Sequence, residues 1–182
     1  MKRTPPPPYT TSTLQQDGAR RMGMSGKRTM SVAQKLYEEG FITYHRTDSV
    51  FIADSARAQM TEYVKEKFGD KYLPPAPRFY KKTQKNAQEA HEAIRPTKIE
   101  VTQDQVSEVL GSQFGKVYEI IWRRALATQM ADALTQSTVV LVNSGKGAYT
   151  LKANGSVLLF DGFLKINPYA LNDNKLPDFI AG

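Results

Sequence analysis

The sequence has no cysteine, which excludes a disulfide framework and any thiolate zinc site, and its two histidines do not by themselves build a structural metal centre. It also lacks an apolar run of about 18 residues that could span a bilayer. The start, Met1 to Pro8, is basic and proline-rich and has no apolar signal core. These absences point to a reducing cytoplasmic setting and exclude a membrane partner. No Asp-x-Asp pair or similar carboxylate cluster appears, so no metal site is expected within the chain. No internal repeat is visible.

What is present is 182 residues, 40% of them hydrophobic, enough for one domain and part of another. The net charge of +7 is unevenly placed. Residues 1–50 carry 8 Lys+Arg against 4 Asp+Glu and residues 51–100 carry 10 against 7, while 101–150 balance at 4 against 4 and 151–182 at 3 against 3. The whole excess lies in the first hundred residues, which suits a phosphate-binding surface, although a net charge of +7 is also common on proteins that never meet nucleic acid.

Pro5 to Pro8 form a stiff lead, and the hydroxyls of Thr10 to Thr13 cap a helix that starts near Ser12 and runs to Met22. Ser31 is placed to cap Val32 to Glu39, with Val32, Leu36 and Tyr37 on one face and Gly40 as the stop. Phe41 to Tyr44 reads as a strand, and Ala53 to Phe68 as an amphipathic helix closed by Gly69. Lys81 to Asn86 is a basic loop, and Gln88 to Ile94 is helix-like before Pro96. Thr102 caps a short helix to Leu110. Phe114 to Leu134 gives a long helix offering Val117, Ile120, Ile121 and Leu126 to a core. Beyond it the pattern becomes strand-like over Ser137–Val142, Ala148–Ala153 and Val157–Ile166, with turn signals at Asn143 to Gly147 and at Asn154-Gly155.

Two constellations carry chemistry. In Gly40 to Ser49 an extended chain puts Tyr44, Arg46 and Asp48 on one face and Thr43, His45 and Thr47 on the other. A phenol, with a pKa of about 10, is a poor nucleophile at neutral pH unless a positive charge or base assists it. Arg46 cannot be that base, but its fork of donors can bind phosphodiester oxygens. In the second, Ala90 to Thr97, His91 and Arg95 share a helical face if the helix holds. On spacing alone, both remain compatible with ordinary packing.

The blocks Thr11-Ser12-Thr13-Leu14-Gln15-Gln16, Thr29 to Glu38, Phe41-Ile42-Thr43-Tyr44-His45-Arg46-Thr47-Asp48-Ser49, Glu89 to Thr97 and Leu159-Phe160-Asp161-Gly162-Phe163 together, in that order, closely resemble type IA DNA topoisomerases. The resemblance covers most of residues 5 to 165. It implies that Tyr44 forms a 5′-phosphotyrosine link with single-stranded DNA, that Arg46 stabilises the attacked phosphate and that His91 supports the scissile site. It further implies DNA-path roles for Ser12, Thr13, Arg20, Lys27, Arg28, Asp48, Ser49, Glu92 and Arg95. His45 departs from the apolar residue common at this position in bacterial members.

The implied fold is α+β: a Pro-rich lead over 1–9 that ends an arch strand, a mainly helical, winged-helix-like (CAP-like) domain over 10–132, an antiparallel β segment of an incomplete arch over 133–170, and an irregular tail over 171–182. Family enzymes bind Mg²⁺ on a Toprim domain not found here, so the expectation is a fragment of a nucleoid-associated enzyme, inactive unaided and holding no cofactor itself. Expected partners are single-stranded DNA, the remaining domains, and a second copy through exposed arch strands. A non-catalytic winged-helix DNA-binding module is the alternative. A tyrosine recombinase or type IB enzyme fits less well, because Tyr44 precedes His91 and Arg95.

Overall fold

The computed structural model describes residues 1–80, 92–143 and 149–168, with the chain dividing into two compact units, Pro5–Ala131 and Met1–Thr4 with Asp132 onward. Five helices and a three-stranded antiparallel sheet among the described residues make the fold α+β.

The first unit is helical. α1 (Thr11–Met22) starts from a capping box in which Thr10 and Thr13 satisfy each other's backbone donors. α2 (Gly26–Glu38) starts from Ser25, whose hydroxyl accepts from the Arg28 N–H, so Ser31 lies inside the helix rather than at its cap. α3 (Asp54–Phe68) closes at Gly69 as expected. α4 (Gln103–Leu110) begins at Thr102 in a second capping box with Gln105. α5 (Ser112–Ala127) ends well short of Leu134: the N–H groups of Thr128, Gln129 and Met130 fold back onto the carbonyls of residues 125–127, and the Thr128 hydroxyl donates to Ala125 O at 2.6 Å.

Burial follows the helical periodicity. Leu14 of α1, Val32, Ala33 and Leu36 of α2, Val106 of α4 and Val117, Tyr118, Ile120 and Ile121 of α5 share one core with Tyr9, Ile42 and Ile94. Leu126 is also buried, whereas Tyr37, expected on the core face of α2, is exposed. Gly18 is where α1 meets α2, since a Cβ there would lie 2.9 Å from Thr29 Cγ2.

The helix expected over Gln88–Ile94 fails where it can be followed. Residues 92–94 are extended, with the Ala93 N–H donating to Phe51 O and the Ile94 N–H to Tyr9 O, donors that a helix would have used internally. Gln88 to His91 and the basic loop Lys81–Asn86 lie outside the described residues.

In the second unit the strand order is β1 (Lys2–Arg3), β2 (Ala133–Asn143), β3 (Thr150–Phe160). The expected turn at Asn154-Gly155 does not form. β3 runs straight through it, with Asn154 opposite Val139 and Gly155 opposite Thr138, because a ladder from Leu134↔Phe160 to Asn143↔Thr150 fixes the register. The expected strand to Ile166 stops at Phe160 and is followed by a 3₁₀ turn, Gly162–Lys165.

Candidate active site

The segment bearing the candidate nucleophile is an extended loop anchored on both flanks rather than a regular strand. On one flank it is zipped to residues 93–97. Ile42 bridges Pro96, the Thr43 N–H donates to Arg95 O at 2.9 Å, and the Thr97 N–H donates to Phe41 O at 3.0 Å. The Thr43 hydroxyl donates to Ala93 O at 2.7 Å and accepts from the Arg95 N–H at 2.9 Å. On the other flank the first residue of α1 staples it. The Thr11 N–H donates to Thr47 O, its hydroxyl donates to His45 O at 2.8 Å, and the same oxygen accepts from the Thr47 N–H at 2.9 Å. Gly40 makes the turn from α2 into this loop at φ 75°, where a side chain would be strained.

Held this way, the loop alternates as an extended chain should. Tyr44, Arg46 and Asp48 are exposed; His45, Thr47 and Ser49 are buried. Ser49 is a turn residue, its N–H donating to the Thr47 hydroxyl and its own hydroxyl accepting from the Phe51 N–H at 3.1 Å. Tyr44 is 43% exposed, and its ring meets Tyr37 of α2 edge-on at 5.3 Å and His45 at 5.2 Å; Tyr37 and His45 are 5.8 Å apart. His45 is 4% exposed, and neither ring nitrogen has a hydrogen-bond partner. Burial first, then the neighbouring Arg46 charge, holds this imidazole below the usual histidine range, with Glu38 opposing.

Arg46 lines a groove of about 580 Å³ together with Thr11, Gln15, Lys27, Ser31 and Gln34 from the facing sides of α1 and α2. A second opening beside it adds Ser12, Thr47 and Asp48. Of the expected DNA-path residues, Ser12, Lys27 and Asp48 are thus brought to one surface with Arg46. The others sit elsewhere or are engaged: the Thr13 hydroxyl belongs to the α1 capping box, Arg28 donates to Gln113 Oε1 at 2.8 Å, and exposed Arg20 pairs with buried Asp17.

Glu92 and Arg95 are bound to each other. Arg95 Nη2 donates to Glu92 Oε2 at 2.6 Å and Nε to Oε1 at 3.1 Å, while Glu92 Oε1 also accepts from the Ala53 N–H ahead of α3 at 2.7 Å. This pair locks the start of α3 to the strip that holds the Tyr44 loop. Arg95 stands on extended chain, so it cannot share a helical face with His91, which itself lies outside the described residues.

Composition and motif gave no sign of Asp17. Its carboxylate accepts from the Tyr9 hydroxyl and pairs with Arg21 at 3.1 Å and Arg20, with Arg124 at 3.8 Å. Burial alone would raise its pKa, but the Tyr9 hydroxyl and the two α1 arginines outweigh that and hold the carboxyl below its ordinary value. Burial, then the bond to Asp17, pushes the Tyr9 phenol far up.

Among the described residues no group of three or more His, Asp or Glu comes together to hold a metal ion, and no helix is long and apolar enough to cross a membrane. The DNA topoisomerase family profile matches residues 1–182. DNA topoisomerase 1 of Rickettsia felis is 47% identical over 181 residues, covering 95% of this chain and 23% of that protein. The Mycobacterium tuberculosis enzyme of the same name is 47% identical over 169 residues, covering 90% and 18%. Full-length topoisomerase I from Thermotoga maritima superposes with a TM-score of 0.82 at 35% identity, covering 98% of this chain and 30% of that one. The chain therefore spans about a quarter of the length of such relatives, and it belongs to the bacterial type IA DNA topoisomerase family.

Proposed function

We propose that this chain supplies the nucleophile of a topoisomerase that cuts and reseals one DNA strand, the whole enzyme relaxing negative supercoils. The observation that carries the reading is the pairing of an exposed tyrosine, Tyr44, with an exposed arginine, Arg46, on the same side of a loop fixed from two flanks. Fixing the loop is what catalysis by positioning needs, since a nucleophile that wanders by about 1 Å loses orders of magnitude in rate. Tyr44 Oη attacks the phosphorus; the Oη–P bond forms as the P–O3′ bond breaks. The phenol proton leaves to solvent, and the departing 3′ oxygen takes one up. Arg46 binds the non-bridging oxygens, where charge builds, and its bidentate fork does this better than a point charge. Religation reverses each step.

The helical unit is the tyrosine-bearing domain on this reading and the β unit part of an arch. Ser12, Lys27 and Asp48 join Arg46 in guiding single-stranded DNA, and His91 supports the scissile site. The described residues do not fit Mg²⁺, so the ion implied by the family is assigned to the parts of the relatives beyond this chain, which are the chain's partners in a cytoplasmic enzyme. No step here is routed through it.

The test is covalent trapping on single-stranded DNA with Mg²⁺, with and without a Toprim-containing segment, in wild type and Tyr44→Phe. The expected result is a denaturant-resistant adduct that needs both the added segment and Tyr44. An equal adduct from Tyr44→Phe would sink the reading. Salt-sensitive DNA binding with no adduct from assembled pieces would instead favour a winged-helix binding module.

A further inference from the structure

We propose that Tyr37 and His45 are positioning residues that cradle the Tyr44 ring, and that the cradle holds only while the His45 imidazole is uncharged. The proposal rests on the reading of Tyr44 as nucleophile. Its observations are the three rings in mutual contact at 5.2 to 5.8 Å, two of the contacts edge-on, and the burial of His45 without a hydrogen-bond partner for either nitrogen. Edge-to-face contacts resist rotation of an aromatic ring about its side-chain torsions. Tyr44 Oη is thereby aimed from a ring that would otherwise swing freely in solvent. Tyr37 spends its exposed position on α2 for this contact and not for the core.

The charged groups that face the imidazole are Arg46 in its own segment and Glu38 on α2; the titratable rings are Tyr37 and Tyr44. From α1, the Thr11 hydroxyl donates to the His45 carbonyl and gives the ring nothing. A proton on the ring would create a second N–H donor with no acceptor, beside a guanidinium, in a site closed to water. Attraction of the cation to the neighbouring aromatic rings offsets part of that cost, but leaves both donors unmet. The charged ring must leave for solvent, and the adjacent residue, Tyr44, loses its support.

The experiment follows the imidazole and tyrosine ring signals of the chain by NMR from pH 8 downward. With only two histidines in the sequence, His45→Phe assigns the His45 signal directly. The expected result is that the Tyr44 ring signals move together with the His45 titration, below the ordinary histidine range, and stay flat through that range in His45→Phe. Adduct formation with the completing segment should fall about tenfold per pH unit below that titration in wild type, following the neutral fraction, and lose this limb in His45→Phe. Tyr37→Leu should slow the adduct step at unchanged DNA affinity, with Tyr37→Phe restoring it. Tyr44 signals indifferent to the His45 titration in wild type would overturn the cradle alone. An adduct that survives Tyr44→Phe would overturn the nucleophile and the cradle together.

Discussion

At the scale of single residues, two buried titratable groups make the stability of the helical unit sensitive to acid in separate windows. A histidine whose folded pKa is depressed favours the folded state when neutral. Its contribution is complete above its unfolded pKa of about 6.5 and is lost as pH falls below it. Asp17 has the same sign: its lowered pKa gives stability present above the unfolded carboxylate value and lost as pH falls through the folded one. Chemical denaturation at a series of pH values should thus show an upper step that His45→Phe removes and a lower step that Asp17→Asn removes. Asp17→Ala should cost about 3–5 kcal/mol at pH 7, because it strands a buried hydroxyl and the half-buried Arg21 and Arg124 without their anion. For the chemistry, Arg46→Lys should slow adduct formation severalfold while a filter-binding assay shows little change in DNA affinity.

At the scale of elements, the Tyr44 loop depends on contacts that are remote in sequence. Thr11→Val removes both side-chain staples, to His45 O and from the Thr47 N–H, and leaves a partly buried N–H unpaired. A loss of about 1–3 kcal/mol is expected by urea denaturation, with faster amide exchange at residues 45–47 than elsewhere. The α4–α5 corner gives a sharper test of packing. Alanine normally improves a helix over glycine by about 1 kcal/mol. At Gly115, however, a Cβ would lie 2.9 Å from the Gln103 carbonyl oxygen, and backbone cannot give way. Gly115→Ala should therefore destabilise by about 1–3 kcal/mol, the overpacking range, and a rise in melting temperature would contradict the tight crossing.

At the scale of the whole molecule, the charge excess and the exposed apolar residues of the β ladder fall in different parts of the chain. The Lys+Arg excess lies within the first hundred residues. The β2–β3 ladder instead exposes Val139, Leu141, Leu151 and Leu159. Single-strand DNA affinity should fall linearly in log K against log salt, by a slope of roughly 0.7 per phosphate neutralised, and Lys27→Ala should make that slope shallower. A salt-independent affinity would remove Lys27 and Arg46 from the DNA path.

The sequence by itself determined the helices whose caps and stops are local chemistry: Thr10 with Thr13 for α1, Thr102 with Gln105 for α4, and Gly69 after α3. It also determined the alternation that exposes Tyr44 and Arg46, since an extended backbone imposes period two whether or not a sheet forms. Only the tertiary structure decided the rest. A long-range hydrogen bond to Tyr9 turned a helix-like stretch into extended chain at Ile94, and a long ladder overrode the turn preference of Asn154-Gly155. The fold also spent Glu92 and Arg95 on each other, left His45 without a partner and drew Asp17 against Tyr9. At Ile94 and at Asn154-Gly155 the deciding partner lies far along the chain or across a ladder, where no local pattern of residues can announce it.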